Sequence, residues 1–234
     1  MSTAYHYINQ NKLMKIAIIV AMDKELALIL PRLTEARTLE VNGFTFHSGK
    51  MGSREVVVGK CGIGKVNAAV NALTLIEHFK PSVVINTGVA GGTGAARVGD
   101  VVVADRIAYH DVWCGPDTIH GQAAGCPRHF ISTFSDNIFE GLHIRRGLVA
   151  SGDIFVSKPS EVRHILDLYP DAVAVDMESA AIAHVCHLKQ VSFLCVRVVS
   201  DTPGGEDNIS QYENFWQDAP QHTFEVIDTV VARL

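Results

Sequence analysis

The fold is decided by the stretch KIAIIVAMDKELALILPRL at residues 15–33, in which a purely apolar run passes directly into an amphipathic one. Lys15–Met22 is continuous and rich in β-branched residues, which is typical of a strand buried on both faces. In Asp23–Leu33 the apolar residues recur at helical spacing, which predicts a helix with one apolar side. A buried strand that leads straight into a helix is the repeating unit of a sheet covered by helices.

The same alternation continues along the chain, without an internal repeat or a low-complexity linker. Further strands are predicted at 44–50, 54–60, 81–87, 100–108, 148–151, 172–175 and 192–200, and further helices at 64–78, 160–168, 178–187 and 211–234. Residues 109–134 lack periodicity and are predicted to form a long loop. The chain is therefore predicted to be α/β, a single-domain three-layer fold with a mixed central β-sheet flanked by helices.

Composition supports one packed domain and excludes several classes of protein. The chain has 234 residues, 47% hydrophobic and 19% charged, with a net charge of −5, which argues against disorder. There is no basic stripe, so nucleic acid is not an expected partner. The apolar runs are shorter than the roughly 18 residues that a membrane span needs. The five cysteines are widely spaced without a CxxC pair, which predicts reduced thiols, a cytoplasmic location and no metal site.

The first residues differ from the rest of the chain. Residues 1–13 are polar and have no apolar core, so we do not expect a signal peptide there. The first strand-like run begins just after Met14. We therefore expect residues 1–13 to be a leader outside the fold and residues 14–234 to form the domain.

Three acidic residues lie where predicted strands end, namely Glu25, Glu178 and Asp201. Ligands of open α/β sheets bind beyond the carboxyl ends of the strands. Converging acids suit hydrolysis through a cationic transition state, because one can protonate a leaving group, another can activate water and a third can bind hydroxyl groups. The alternative is that each acid only caps a helix or carries a solvated charge, and spacing alone leaves both interpretations open.

Other strand-end residues are equally ambiguous by themselves. Gly88–Gly92 could let a ligand approach the backbone or could be a tight turn, and it lacks the Lys and Ser/Thr of a phosphate-binding loop. Met177 and Phe155 could pack on a ligand or belong to the core. Lys65 could meet an anion or point to water, and water is the favoured interpretation.

Nine segments resemble the 5'-methylthioadenosine/S-adenosylhomocysteine nucleosidases, a family with the nucleoside phosphorylase-like fold. They run in the family's order and cover nearly all of residues 14–215. The segments are MKIAIIVAMDKE (14–25), CGIGKVNAA (61–69), INTGVAGG (85–92), VGDVVVAD (98–105), YHD (109–111), GCP (125–127), SGDIFV (151–156), VDMESAAIAHVC (175–186) and VRVVSD (196–201).

The resemblance implies hydrolysis of the N-glycosidic bond of methylthioadenosine and S-adenosylhomocysteine, with no cofactor. Glu25 matches the acid that activates water, and Asp201 matches the acid that protonates adenine at N7, supported by Ser200. Glu178 matches the ligand of the ribose hydroxyls, and Met177 matches the side chain packed on the ribose. A homodimer is implied as well, in which the partner's loop 109–130 closes part of the pocket for the 5'-substituent.

The resemblance also assigns the adenine pocket. Phe155 matches the ring that stacks on adenine, and the main chain of Val156 matches the group that reads its edge. Three more residues are expected to contact the substrate, namely Met22, Val89 and Gly91.

Two other activities of this fold remain as alternatives, a purine nucleoside phosphorylase and a futalosine-type nucleosidase. The phosphorylases that resemble this chain carry Arg where it has Glu25, and an Arg and a Ser where it has Asn86 and Val89. A carboxylate repels phosphate, so hydrolysis is favoured. Many nucleosidases have a Ser at the position of Val89 that bonds the water-activating acid, so here another donor or a water must orient Glu25. Loop 112–124 also departs from the family, so the preferred 5'-substituent stays open. A binding protein without catalysis is disfavoured because it would need no water-activating acid.

Overall fold

The computed structural model of the protein describes residues 15–132, 134–218 and 220–234. The predicted leader at residues 1–13 lies outside these residues. In chain order the elements are β1 (Ile16–Val20), α1 (Asp23–Ile29), β2 (Thr34–Val41), β3 (Phe44–Met51), β4 (Arg54–Lys60), α2 (Lys65–Phe79), β5 (Val83–Gly92), β6 (Val101–Tyr109), β7 (Phe130–Ile131), β8 (Arg145–Ser151), α3 (Pro159–Leu168), β9 (Ala172–Asp176), α4 (Ser179–Lys189), β10 (Ser192–Asp201), α5 (Asn208–Asp218) and α6 (Pro220–Arg233).

All ten strands belong to one mixed sheet. Strand β1 lies at its centre and pairs in parallel with β4 and β5, while β4, β3 and β2 continue antiparallel to the edge. On the other side, β5 pairs in parallel with β10 and, at its far end, antiparallel with β9. In addition, β10 pairs with β6, β6 with β8, and β8 with β9. Because β9 and β10 both pair with β5, this half of the sheet closes on itself.

The side chains of the central strand β1 alternate between the two faces of the sheet, which explains why the sheet lies between two layers of helices. Ala17 and Ile19 of β1 pack in the cluster that contains α2 and α4 residues, for example Leu75. Ile16 and Ile18 pack on the opposite face, in the cluster that contains α6 residues such as Phe224. Successive side chains of a strand point to opposite faces, so a wholly apolar strand needs helices on both sides. The predicted mixed sheet flanked by helices is confirmed.

Four elements differ from their prediction, one of which is the two-residue strand β7 inside the predicted loop 109–134. Strand β2 was not predicted, because seven of its eight residues are exposed and it pairs only with β3 at the sheet edge. The glycine-rich segment Gly88–Gly92 is part of β5 rather than a turn after it. The single helix predicted at 211–234 is two helices, α5 and α6. None of the helices in the described part of the chain is long and apolar enough to cross a membrane.

Candidate active site

One cleft collects the strand ends that the sequence singled out. It lies where β1, β5, β9 and β10 end and where the segment after β8 crosses them, and it has a volume of about 600 Å³ including its open mouth. All ten residues predicted to bind or transform the substrate line it, namely Met22, Glu25, Val89, Gly91, Phe155, Val156, Met177, Glu178, Ser200 and Asp201. The structure thus brings these residues together, while their roles stay predictions.

Among the described residues, only main-chain groups donate hydrogen bonds to Glu25. It sits in the first turn of α1, 2% exposed. Its Oε2 accepts hydrogen bonds from the N–H groups of Ala21 (2.8 Å) and Met22 (2.9 Å), and its Oε1 accepts one from Val89 (3.0 Å). Burial raises the pKa of Glu25, while these donors and the charge of Arg197 act in the opposite direction. Val89 therefore orients the acid through its backbone, without the hydroxyl that a Ser would provide.

Gly88 makes this arrangement possible. A Cβ atom at Gly88 would lie 2.3 Å from Oε1 and 2.8 Å from Cδ of Glu25. No side chain fits at such distances, so only glycine allows β5 to pass this close to the carboxylate. The glycine-rich segment therefore serves close approach, but to a carboxylate of the protein itself.

Glu178 lies at the start of α4 and is 7% exposed. It makes no capping bond to its own helix, and its Oε1 instead accepts a hydrogen bond from the Gly64 N–H at 2.9 Å. Burial and the neighbouring charge of Asp176 raise the pKa of Glu178 to about 7. Glu178 therefore exchanges its proton near neutral pH.

A buried cation balances the acids from below the cleft. Arg197, in the middle of β10, is 2% exposed. Its Nε and Nη2 donate to Asp176 Oδ2 at 2.7 and 2.6 Å, and Nη2 also donates to Asn86. The Arg197 charge lowers the pKa values of Glu25 and Glu178. Its guanidinium is committed to the protein, so it is not available to bind phosphate.

Asp201 ends β10 and is 3% exposed. The Ser200 hydroxyl donates to its Oδ1 at 2.6 Å, and the Asn208 amide donates to its Oδ2. Burial raises the pKa of Asp201, and both side-chain donors lower it. A carboxyl group with a raised pKa beside an open cleft can hold a proton for a leaving group.

Aromatic side chains form the opposite wall. Phe155 is 47% exposed, so it is not a core residue but presents its ring to the cleft. Tyr212 of α5 packs edge-on against it, with ring centroids 5.6 Å apart. The Tyr212 hydroxyl donates to the Met22 sulfur at 3.3 Å. A planar ligand can stack here between apolar surfaces.

Sequence reasoning gave no role to Arg197 or Asn208, and it did not predict that Gly88 makes room for Glu25 or that Asn86 accepts a hydrogen bond from Arg197. A charged residue in the apolar run SFLCVRVVSD (192–201) was the available signal for Arg197, because a charge in a buried strand needs a partner. No comparable signal marked Asn208, whose partner is fixed by the turn that precedes α5.

The favoured interpretation of Lys65 was wrong. Its ammonium lies 2.7 Å from Asp111 Oδ2, and its main-chain N–H donates to Asp153 Oδ1 at 2.7 Å. Asp111 also accepts from the Asp153 N–H at 2.8 Å. These contacts fasten the start of α2, which holds Glu178 through Gly64, to the segment that carries Phe155.

Comparison with known proteins identifies relatives of this chain over nearly its whole described length. A family model of the phosphorylase superfamily matches residues 15–232. The 5'-methylthioadenosine/S-adenosylhomocysteine nucleosidase of Anoxybacillus flavithermus is 38% identical, over 94% of this chain and 99% of that protein. The solved MTA/SAH nucleosidase of Streptococcus pneumoniae in complex with 8-aminoadenine has a TM-score of 0.89 at 38% identity, over 94% of this chain and 100% of that one. The futalosine hydrolase of Helicobacter pylori has a TM-score of 0.87 at 27% identity, over 95% and 99%.

The fold and the match over nearly the whole described chain define the class: this chain belongs to the phosphorylase superfamily. Within that superfamily, the identity of 38% over almost the full length of both proteins places it in the family of 5'-methylthioadenosine/S-adenosylhomocysteine nucleosidases. The family predicted from the nine sequence segments is confirmed.

Proposed function

We propose that this chain hydrolyses the N-glycosidic bond of 5'-methylthioadenosine and S-adenosylhomocysteine, releasing adenine and the 5'-thioribose sugar. The observation that carries the proposal is the cleft itself. Three buried acids, Glu25, Glu178 and Asp201, line it together with the exposed ring of Phe155. The relatives of this family are named for these two substrates.

The proposed mechanism divides the work among the three acids. Asp201 gives its proton to adenine N7, because adenine leaves slowly as an anion. Glu178 in its ionised form binds the ribose hydroxyls and stabilises the positive charge that develops on the sugar. Glu25 orients and deprotonates the attacking water, and each acid-base contribution of this kind supplies roughly 10²–10⁴-fold in rate.

The nucleophile is water rather than phosphate. None of the described residues that line the cleft is Lys or Arg, and the nearby Arg197 is paired with Asp176. Asn86, at a position where similar phosphorylases carry Arg, is turned inward, where it donates to the Ile19 carbonyl. At about 4 Å and an effective dielectric of 20, repulsion between a carboxylate and one phosphate charge costs about 4 kcal/mol.

We further propose that the chain acts as a cytoplasmic homodimer in nucleoside catabolism and methionine salvage. Supporting the dimer, α2 exposes an apolar row at helical spacing, with Val66 73%, Val70 48% and Leu73 37% exposed. Contiguous exposed apolar side chains mark association surfaces more often than free ones. Sedimentation of the full chain should give twice the monomer mass, and Val70→Asp should shift the measured mass towards that of the monomer.

A product assay tests the activity. Methylthioadenosine, S-adenosylhomocysteine, futalosine and inosine are each incubated with the chain in phosphate-free buffer and with excess phosphate, and products are identified by mass spectrometry. We expect adenine and a free thioribose sugar from the first two substrates, at rates that do not depend on phosphate. A sugar phosphate would assign the chain to the phosphorylases, and preferential cleavage of futalosine would assign it to the second alternative.

A further inference from the structure

Asp201 has a second side-chain partner that the proposed mechanism does not use. Asn208 is the first residue of α5 and is 3% exposed. Its Nδ2 donates to Asp201 Oδ2, while Ser200 occupies Oδ1. A polar side chain buried this deeply is costly unless its groups are bonded, so its position beside the acid calls for a reason.

The unused half of the Asn208 amide supplies that reason. Asn208 Oδ1 is buried and has no hydrogen-bond partner among the described residues. An amide is a donor on one side and an acceptor on the other. A half-turn about the last side-chain bond exchanges the two, so the same residue can donate to an ionised Asp201 or accept the proton of a neutral one.

We infer that Asn208 is a positioning residue that sets the acid strength of Asp201 and holds it in both protonation states of the reaction cycle. This inference rests on the proposed role of Asp201 as the proton donor. Before the base leaves, the amide oxygen accepts the Asp201 O–H. After the proton has passed to adenine N7, the amide N–H stabilises the carboxylate that remains.

The fold keeps Asn208 in place through a second bond. Gln211, one turn further along α5, accepts a hydrogen bond from the Thr202 N–H at 2.8 Å. The exit of β10 and the start of α5 are thus fastened at two points, one at the acid and one beside it. Movement of α5 would change both contacts at once.

The charged and titratable groups around Asp201 define what a pH profile can report. Tyr212 faces it from α5, and Glu25 and Glu178 share the cleft from α1 and the start of α4. Burial raises the pKa of Tyr212, so this phenol titrates above its ordinary value of about 10. The two glutamates act as carboxylates and govern the acidic limb. The proposed mechanism requires Asp201 to be protonated, so loss of the Asp201 proton lowers kcat/KM as pH rises.

The sign of the expected effect follows from the direction of the hydrogen bond. The bond from the amide N–H to the ionised carboxylate is stronger than the bond that the amide oxygen accepts from the neutral acid, so on balance Asn208 lowers the pKa of Asp201. Asn208→Ala removes that donor, so the alkaline limb should move up by about one pH unit, with kcat three- to tenfold lower. Asn208→Asp keeps the shape but puts a second acid beside the first, so its limb should also move up.

Matched controls separate this role from support of the fold. Ile209 follows Asn208 in α5 and is 59% exposed, so Ile209→Ala should leave the limb and kcat unchanged. The two Asn208 variants guard against a folding failure in one of them. A lower plateau with an unmoved alkaline limb in both would overturn the inference. Asp201→Asn tests the proposed role of Asp201 as the proton donor, which near wild-type turnover would contradict. If Asp201→Asn is inactive but the alkaline limbs of both Asn208 variants do not move, only the inference about Asn208 is rejected.

Discussion

The two proposed proton-transfer groups, Glu25 and Asp201, are held in opposite ways. Glu25 receives three main-chain hydrogen bonds, from Ala21, Met22 and Val89, and no side-chain bond from the residues that the structure describes. Asp201 receives two side-chain bonds, from Ser200 and Asn208. Both acids are buried and both have raised pKa values, with burial as the largest cause. The two acids therefore differ in whether a substitution nearby can remove one of their hydrogen-bond donors.

Main-chain donors are fixed by the fold, whereas side-chain donors are chosen by the sequence. The groups around Glu25 are present whatever residue other than proline stands at position 89, so a valine there leaves the acid oriented. Each of the two donors to Asp201 can be removed by a single substitution. We expect the water-activating side of the cleft to tolerate sequence change among its neighbours, and the base-protonating side to be tunable through them.

The largest expected effect distinguishes Glu25, which is proposed to contact the attacking water, from Asp201, which is proposed to contact the base. Glu25→Gln should lower kcat on methylthioadenosine by roughly 10²–10⁴-fold, since an amide cannot deprotonate water. Adenine binding should stay within a few-fold of wild type, because the proposed base pocket is built from Phe155, Val156 and Asp201. Turnover and adenine titration by calorimetry measure the two quantities on the same preparation.

The matched variant is Asp201→Asn, which should lose a similar factor in kcat because the amide cannot give N7 a proton, and should also weaken adenine binding because its N–H is a weaker donor to N7 than the acid. If Glu25→Gln weakened adenine binding as much as Asp201→Asn does, the division of the cleft into a water side and a base side would be wrong.

Glu178 is intermediate, with one main-chain donor at Gly64 and a charged neighbour at Asp176. Its pKa of about 7 means that it loses its charge as pH falls through neutrality, so kcat/KM should fall below pH 7. Glu178→Gln should reduce kcat/KM about 10- to 100-fold, as expected for a hydrogen bond to a charged group, and should remove the part of the acidic limb near pH 7 while leaving the part due to Glu25. A 2'-deoxy substrate should lose less than the ribosyl one, and equal losses would argue against contact with that hydroxyl.

The same group makes a prediction for stability. The folded pKa of Glu178 lies above its ordinary 4.5, so the native state binds this proton more tightly than the unfolded state does. Its contribution to the free energy of unfolding is complete below pH 4.5 and is lost as pH rises to 7, by up to about 3 kcal/mol. Glu178→Gln should lack this loss in denaturant titrations at pH 5 and pH 8. An equal loss of unfolding free energy between pH 5 and pH 8 in the wild type and in Glu178→Gln would show that Glu178 is not the group responsible.

The fold was predictable where burial leaves a periodic signal. The wholly apolar run of β1 required helices on both faces, and the clusters around Ile16 and Ala17 confirm it. Strand β2 was missed because its alternation is polar and exposed. A signal was nevertheless present in Asn42-Gly43, whose positive φ angles of 50° and 80° make the tight turn to β3. Closure of β5 against β9 depends on long-range pairing that no local pattern encodes.

The site was predictable as a set of strand ends, because the rule that ligands lie beyond them needs only the strand assignments. It could not give the partners of each acid. The bond from Asn208 to Asp201 and the passage of Gly88 beside Glu25 arise from segments distant in the chain or joined by an irregular turn. The burial that raises the pKa of each acid is likewise a property of the assembled cleft.

The smallest expected effect concerns Tyr212, which touches both sides of the comparison. Its hydroxyl donates to Met22, three residues before Glu25, and its ring packs edge-on against Phe155 on the base side. A thioether sulfur is a weak acceptor, so Tyr212→Phe should leave kcat unchanged and alter KM by no more than about twofold. Tyr212→Ala removes the ring contact, which is worth about 0.5–1.5 kcal/mol, so KM should rise about 3- to 10-fold with kcat little changed. Steady-state kinetics on methylthioadenosine measure both variants. A fall in kcat for Tyr212→Phe comparable to that of Glu25→Gln would mean that the hydroxyl takes part in the chemistry and that the two sides of the cleft are joined through it.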